Sequence, residues 1–156
     1  MSLPIRMLAV AVAAALGALV SATALAQQAT AQKPLYDRLG GLKGITVVVD
    51  DFIDRLVVNK TLNRNPAIDA GRKASPAPYL KFQVSQLVCE VSGGPCKYTG
   101  RDMKSAHAHL NISAKEWDVM AGEFTKSLDK YKVPAAEQNE LFAIVGKTQP
   151  DIVIRK

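Results

Sequence analysis

The sequence predicts an all-α fold. Apolar residues recur at three- and four-residue spacing in five stretches, and no segment alternates polar and apolar residues between hairpin turns. Helix start and stop signals fall at the ends of those stretches: a Ser-x-x-Glu box, a Gly-Gly-Pro and two prolines ahead of periodic runs. The 156 residues suit one domain, and 48% hydrophobic with 22% charged residues is the composition of a globule. The formal net charge is +6, but Lys and Arg are interleaved with Asp and Glu rather than gathered in a stripe, which argues against a nucleic-acid partner.

The first 26 residues differ in kind. Residues 1–6 carry one positive charge at Arg6, residues 7–20 are apolar and Ala-rich, and Ala24, Leu25 and Ala26 supply a small-residue cleavage site. Residues 1–26 read as a secretory signal peptide. Their apolar run is shorter than the roughly 20 residues of a membrane span, so no membrane association is expected after cleavage. Residues 27–33 read as a short disordered lead, and residues 34–153 as the folded domain, exported to a periplasm or beyond, where disulfides persist.

Residues 34–39 form a short helical opening closed by Gly40 and Gly41. Over residues 45–58, Ile45, Val48, Val49, Phe52 and Leu56 share a helical face with Ile53 at its edge, while Asp50, Asp51, Asp54 and Arg55 lie elsewhere. Residues 59–78, rich in Asn, Pro, Ala and basic residues, read as a long loop. A helix over 78–91 would bury Leu80, Val84, Leu87, Val88 and Val91 and end at Gly93-Gly94-Pro95. Ser113 and Glu116 make a capping box for a helix with Trp117, Met120, Phe124, Leu128 and Tyr131 inward. The last helix starts at Pro134, buries Leu141, Ile144 and Val145, and stops at Pro150.

Both histidines lie in "YTGRDMKSAHAHLNI". On a helix each residue turns ~100°, which groups Met103, His107 and Leu110 and puts His109 ~160° from His107. Such a pair cannot clamp one metal ion. The inward His107 is then either a core histidine satisfied by a hydrogen bond or a ligand. A zinc site of Cys89, Cys96, His107 and His109 is the other arrangement to weigh, but its spacing matches no compact zinc module.

The motifs "LYDRLGG", "VVVDDF", "GGPCKYTGRDMKSAH", "LNIS" and the "VP" before the last helix together resemble the group I truncated hemoglobins. The likeness runs from Leu35 to Val153 and implies a globin-like two-over-two helical sandwich around haem b. It implies that His107, the histidine of Met-Lys-x-x-His, is the proximal iron ligand, and the absence of Cys-x-x-Cys-His argues against covalent c-type haem. Met103 should touch the porphyrin, with Phe52, Leu110, Ile112, Met120, Leu141 and Val145 as further pocket residues, and Lys104 or Lys81 as a partner for a propionate. On the distal side the resemblance calls for a tyrosine after the Phe of the second helix and a glutamine facing it. This sequence has Ile53, Leu80 and Val84 at those positions, leaving Gln83 as the nearby polar candidate.

Cys89 is expected to face solvent and to bond to Cys96 across the Gly-Gly-Pro reversal, the alternative being two free thiols in a chain whose leader is retained. The function expected from the resemblance is reversible binding of dioxygen, or another diatomic gas, by a monomer, as in oxygen transport. Two alternatives stand beside it: turnover of nitric oxide or peroxide at the same haem, with an electron donor the sequence does not name, and a haem-free helical interaction module.

Overall fold

The computed structural model describes residues 32–155. The proposed leader 1–26 and most of the lead 27–33 lie outside the described residues. Leu35–Arg38 (α1) leads through the left-handed Gly40 into Gly41–Val58 (α2). Where these two helices meet, Gly44 is indispensable: a Cβ there would sit 1.9 Å from the Leu39 carbonyl oxygen. The chain continues through Lys60–Asn63 (α3), Pro66–Ala74 (α4), Ala77–Val91 (α5), Met103–His107 (α6), Ala114–Lys130 (α7), Ala135–Gly146 (α8) and Gln149–Ile152 (α9).

The expected 59–78 loop is a correction, because it contains α3 and α4. Asn59 and Asn65 act as N-caps rather than loop residues. The Asn59 Oδ1 accepts from the Thr61 and Leu62 amides at 2.9 and 3.2 Å, and the Asn65 Oδ1 accepts from Ala67 and Ile68 at 3.0 and 3.4 Å. Pro66 occupies the first turn of α4, where its missing N–H costs no hydrogen bond. Two short strands, Ile112–Ser113 (β1) and Val153–Arg155 (β2), pair in parallel and qualify the all-helical expectation without changing the fold class. Pro150 does not stop the last long helix. That helix, α8, ends at Gly146, and Pro150 lies in the first turn of α9.

The core lies between α2 and the helices on its two flanks. Ile45, Val48, Val49, Phe52 and Ile53 of α2 meet Cys89 of α5, Phe124 and Leu128 of α7 and Leu141 of α8. Phe124 is the central ring, 5.0 Å from Phe52 and 5.3 Å from Phe142 between centroids. Polar pairs fix the helix ends around it. Asp51 accepts from Arg55, Ser127 and Lys130 at 2.6, 2.8 and 2.5 Å, tying α2 to α7. Arg38 binds Glu137 and Glu140 at 2.8 and 2.5 Å, tying α1 to α8. The predicted capping box is present, with Ser113 Oγ accepting from the Glu116 amide and Glu116 accepting from the Ser113 amide.

The helix α5 has two working sides. Its small residues Ser85 and Cys89 are the buried ones, in close approach to α2, so Cys89 is 0% exposed and the expectation that it faces solvent is overturned. The large apolar residues Leu80, Val84, Leu87 and Val88 form the opposite side and line a cavity, with Leu80, Val84 and Val88 also packed against the edge of the core. Cys89 is joined to Cys96, as expected, with the left-handed Gly93 in the reversal between them. Val91 is 43% exposed at the end of α5, and Tyr131 is 40% exposed because α7 ends one residue earlier.

Candidate functional site

A cavity of about 430 Å³ opens between α2, α5, α6, α7 and α8. Every apolar residue singled out above as a pocket residue borders it: Phe52 and Ile53 from α2, Leu80 and Val84 from α5, Met103 from α6, then Leu110, Ile112, Met120, Leu141 and Val145. Leu56, Leu87, Val88, Trp117, Phe124 and Ile144 are among the further apolar residues around it. The amphipathic helices therefore place their apolar faces partly against each other and partly around this space.

His107 borders the cavity at the last residue of α6. Asp102 starts that helix by accepting from the Ser105 amide at 2.9 Å, and the Tyr98 hydroxyl donates to the Arg101 carbonyl at 2.8 Å, shaping the turn that leads in. The His107 Nδ1 lies 2.8 Å from the Met103 carbonyl oxygen. A carbonyl can only accept, so Nδ1 carries the proton and Nε2 keeps a free lone pair. Burial pushes the His107 pKa below the ordinary histidine value, with the bond to Met103 opposing that shift, and the ring is neutral at pH 7. Both features suit an imidazole that ligates a metal.

Beyond His107 the backbone tightens into a 3-10 turn, Ala108–Leu110, and Asn111 adopts the left-handed conformation that returns the chain to Ile112. Three residues per turn still send His109 away from His107, and His109 is exposed at the cavity rim. The zinc arrangement is excluded by chemistry, since both cysteines are in the disulfide and hold no thiolate. Among the described residues, no other group of three His, Cys, Asp or Glu is placed to hold a metal ion.

The polar lining departs from expectation. Lys81 is committed to Asp50 and Asp54, at 2.8 and 2.9 Å, and does not border the cavity; Lys104 is exposed and also does not border it. The cations that do are Arg72 and Arg101, which the sequence reading missed. Arg72 reaches the Val57 carbonyl and Asp69 with its terminal nitrogens, while its buried Nε has no partner. Among the described residues, the other buried side-chain atom without a partner is Gln83 Oε1, also at the cavity. An orphaned buried polar atom is costly unless a ligand completes it. An apolar enclosure, one inward imidazole with a free nitrogen, and polar groups awaiting partners fit a porphyrin, with its apolar faces and acidic edge.

A helical protein with a single imidazole aimed into such a pocket has the architecture of a globin. A family model for the bacterial-like globins matches residues 34–153, and the chain belongs to that family. It is 27% identical over 118 residues to the group 1 truncated hemoglobin GlbN of Mycolicibacterium paratuberculosis, covering 76% of this chain and 82% of the relative. Identity to the GlbN of Synechocystis is also 27%, over 72% of this chain and 89% of the relative. Among solved structures, the truncated hemoglobin of Tetrahymena pyriformis superposes with a TM-score of 0.67 at 21% identity, covering 76% of this chain and 97% of that one. A 2/2 hemoglobin of Synechococcus, solved with covalently attached haem, gives 0.68 at 22%, covering 78% and 99%. The fold is the two-over-two globin fold, the cofactor is haem b, and the ligands of such globins are diatomic gases such as dioxygen.

Proposed function

We propose that this chain reversibly binds dioxygen, or another diatomic gas, at haem b held through His107 Nε2. The observation that carries the reading is the 2.8 Å contact between His107 Nδ1 and the Met103 carbonyl, which sets the tautomer and leaves the Nε2 lone pair free on a residue that borders the cavity. Phe52, Ile53, Leu80, Val84, Met103, Leu110, Ile112, Met120, Leu141 and Val145 line the cavity that would bury the macrocycle, and Arg72 and Arg101 are the cations on its lining that would meet its carboxylates. When bound, haem would supply reversible coordination of the gas. What this chain supplies there is an apolar wall of Ile53, Leu80 and Val84, with the Gln83 amide as the polar group on the same helix.

Binding is favoured over turnover. The partner of the His107 imidazole is a neutral carbonyl, whereas a carboxylate in that place would make the ligand more electron-donating, and the Ile53, Leu80 and Val84 wall offers no acid or base for breaking peroxide. An electron donor is still required to keep the iron ferrous. Export is part of the proposal, supported by the leader-like residues 1–26 and by the Cys89–Cys96 bridge. Stepwise addition and removal of dioxygen and carbon monoxide, followed by absorption of the reduced haem-loaded chain, tests it. Spectra that interconvert reversibly are expected; irreversible oxidation on the first exposure to dioxygen contradicts the reading.

A further inference from the structure

A second cavity, of about 640 Å³, is polar and shares only Glu116 with the lining of the first; His107 is not among its lining residues. Its floor is Asn65 and Glu116, both buried, and its rim carries Arg64, Lys115 and Arg155. The floor is rigid. Asn65 receives the Ala67 and Ile68 amides, and its Nδ2 donates to the Leu110 and Asn111 carbonyls at 3.1 and 3.3 Å. Glu116 is neutralised locally, accepting from the Ser113 amide and hydroxyl at 2.7 Å each and pairing with Arg155 at 3.3 Å.

The rim is not neutralised. Among the described residues neither Arg64 nor Lys115 has a carboxylate partner, and the only hydrogen bond of the Arg64 side chain is to Thr61 Oγ1 at 3.4 Å. Three cations against one carboxylate leave the cleft with a positive excess, concentrated in a concavity where it acts on one bound group. An Arg fork and a Lys ammonium set over a fixed polar floor are the groups that recognise phosphate or carboxylate oxygens. The concavity is wide enough for more than a single monatomic anion, and chloride would leave most of its donors unused.

We propose that this cleft binds a small multivalent oxyanion, held by Arg64 and Lys115, with Arg155 shared between the anion and Glu116. The proposal does not depend on the identity of the gas or on His107. The test is calorimetric titration of the haem-loaded chain with pyrophosphate and, separately, with citrate, at ionic strength fixed with sodium chloride. Saturable binding is expected, and the tighter of the two assigns the phosphate or the carboxylate source. The double variant Arg64→Gln/Lys115→Gln should weaken it at least tenfold, while Lys43→Gln/Lys147→Gln, two exposed lysines elsewhere, should not change it. Because Arg64 and Lys115 are exposed, the far-UV circular dichroism of the double variant should match the parent. No saturable heat with either anion, equal weakening in both double variants, or full binding by Arg64→Gln/Lys115→Gln overturns it.

Discussion

Replacing Ile53 by Tyr should slow dioxygen release. Ile53 is 4% exposed and borders the cavity from α2, directly after Phe52. The hydroxyl of a tyrosine there would enter a wall otherwise made of Leu80 and Val84. A hydrogen bond to a strongly polarised acceptor is worth about 1.5–3 kcal/mol. At ~1.4 kcal/mol per factor of ten, the dissociation rate should fall roughly ten- to a hundredfold, with a smaller change in association. Forcing a ring into a packed wall costs about 1–3 kcal/mol of stability, so the variant is compared at a temperature where both proteins are folded. Stopped-flow displacement of dioxygen by carbon monoxide reads the rate directly, and the same measurement on Gln83→Leu isolates the amide. If the parent already releases dioxygen as slowly as Ile53→Tyr, and Gln83→Leu does not accelerate it, the reasoning from an apolar distal wall is refuted.

Reduction of the Cys89–Cys96 bridge, or its replacement by two alanines, should lower stability. The sequence separation is 7, and closing so small a loop is worth about 2.5 kcal/mol in the chain-entropy model, or roughly 10 °C in the melting temperature of a domain this size. Thermal circular dichroism with and without reductant checks this, and a shift below about 2 °C contradicts it. Acid should weaken the tie between α2 and α7 at Asp51. Burial pushes the Asp51 carboxyl up, but hydrogen bonds from Lys130, Arg55 and Ser127 outweigh burial and hold it well below the ordinary carboxylate range. A carboxyl more acidic in the folded than in the unfolded chain stabilises above the unfolded value, about pH 4, and loses that contribution as pH falls toward its folded value. Asp51→Asn should therefore cost about 1–2 kcal/mol at pH 7, given partly exposed partners, and the gap from the parent in urea unfolding should narrow below about pH 4. A gap constant down to acid pH contradicts the assignment.

The long helices were legible because their apolar residues repeat at helical spacing, and the capping box at Ser113 marked its boundary directly. The 59–78 segment was not, since Asn and Pro signal both loops and helix starts; only the bonds that Asn59 and Asn65 accept from the amides beyond them distinguish the two. Cys89 was misplaced for a related reason. Periodicity finds the larger apolar face of α5 but does not say that this face borders a cavity while the small residues Ser85 and Cys89 approach α2. The apolar residues of the site could be read individually, whereas Arg72 and Arg101 could not, because their place at the cavity depends on α4 and on the turn before α6. The orphaned Gln83 Oε1 is likewise a property of the fold, visible only once the atoms around it are placed.

The central claim is that His107 Nε2 holds the iron, and the absorption spectrum of a His107→Gly variant loaded with haem tests it most directly. With His107 as ligand, the variant should lose the ferrous spectrum of a histidine-ligated haem and release haem faster, and added imidazole should restore the spectrum by occupying the space of the missing ring. Unchanged spectra and haem retention in the variant, with no response to imidazole, would contradict the account.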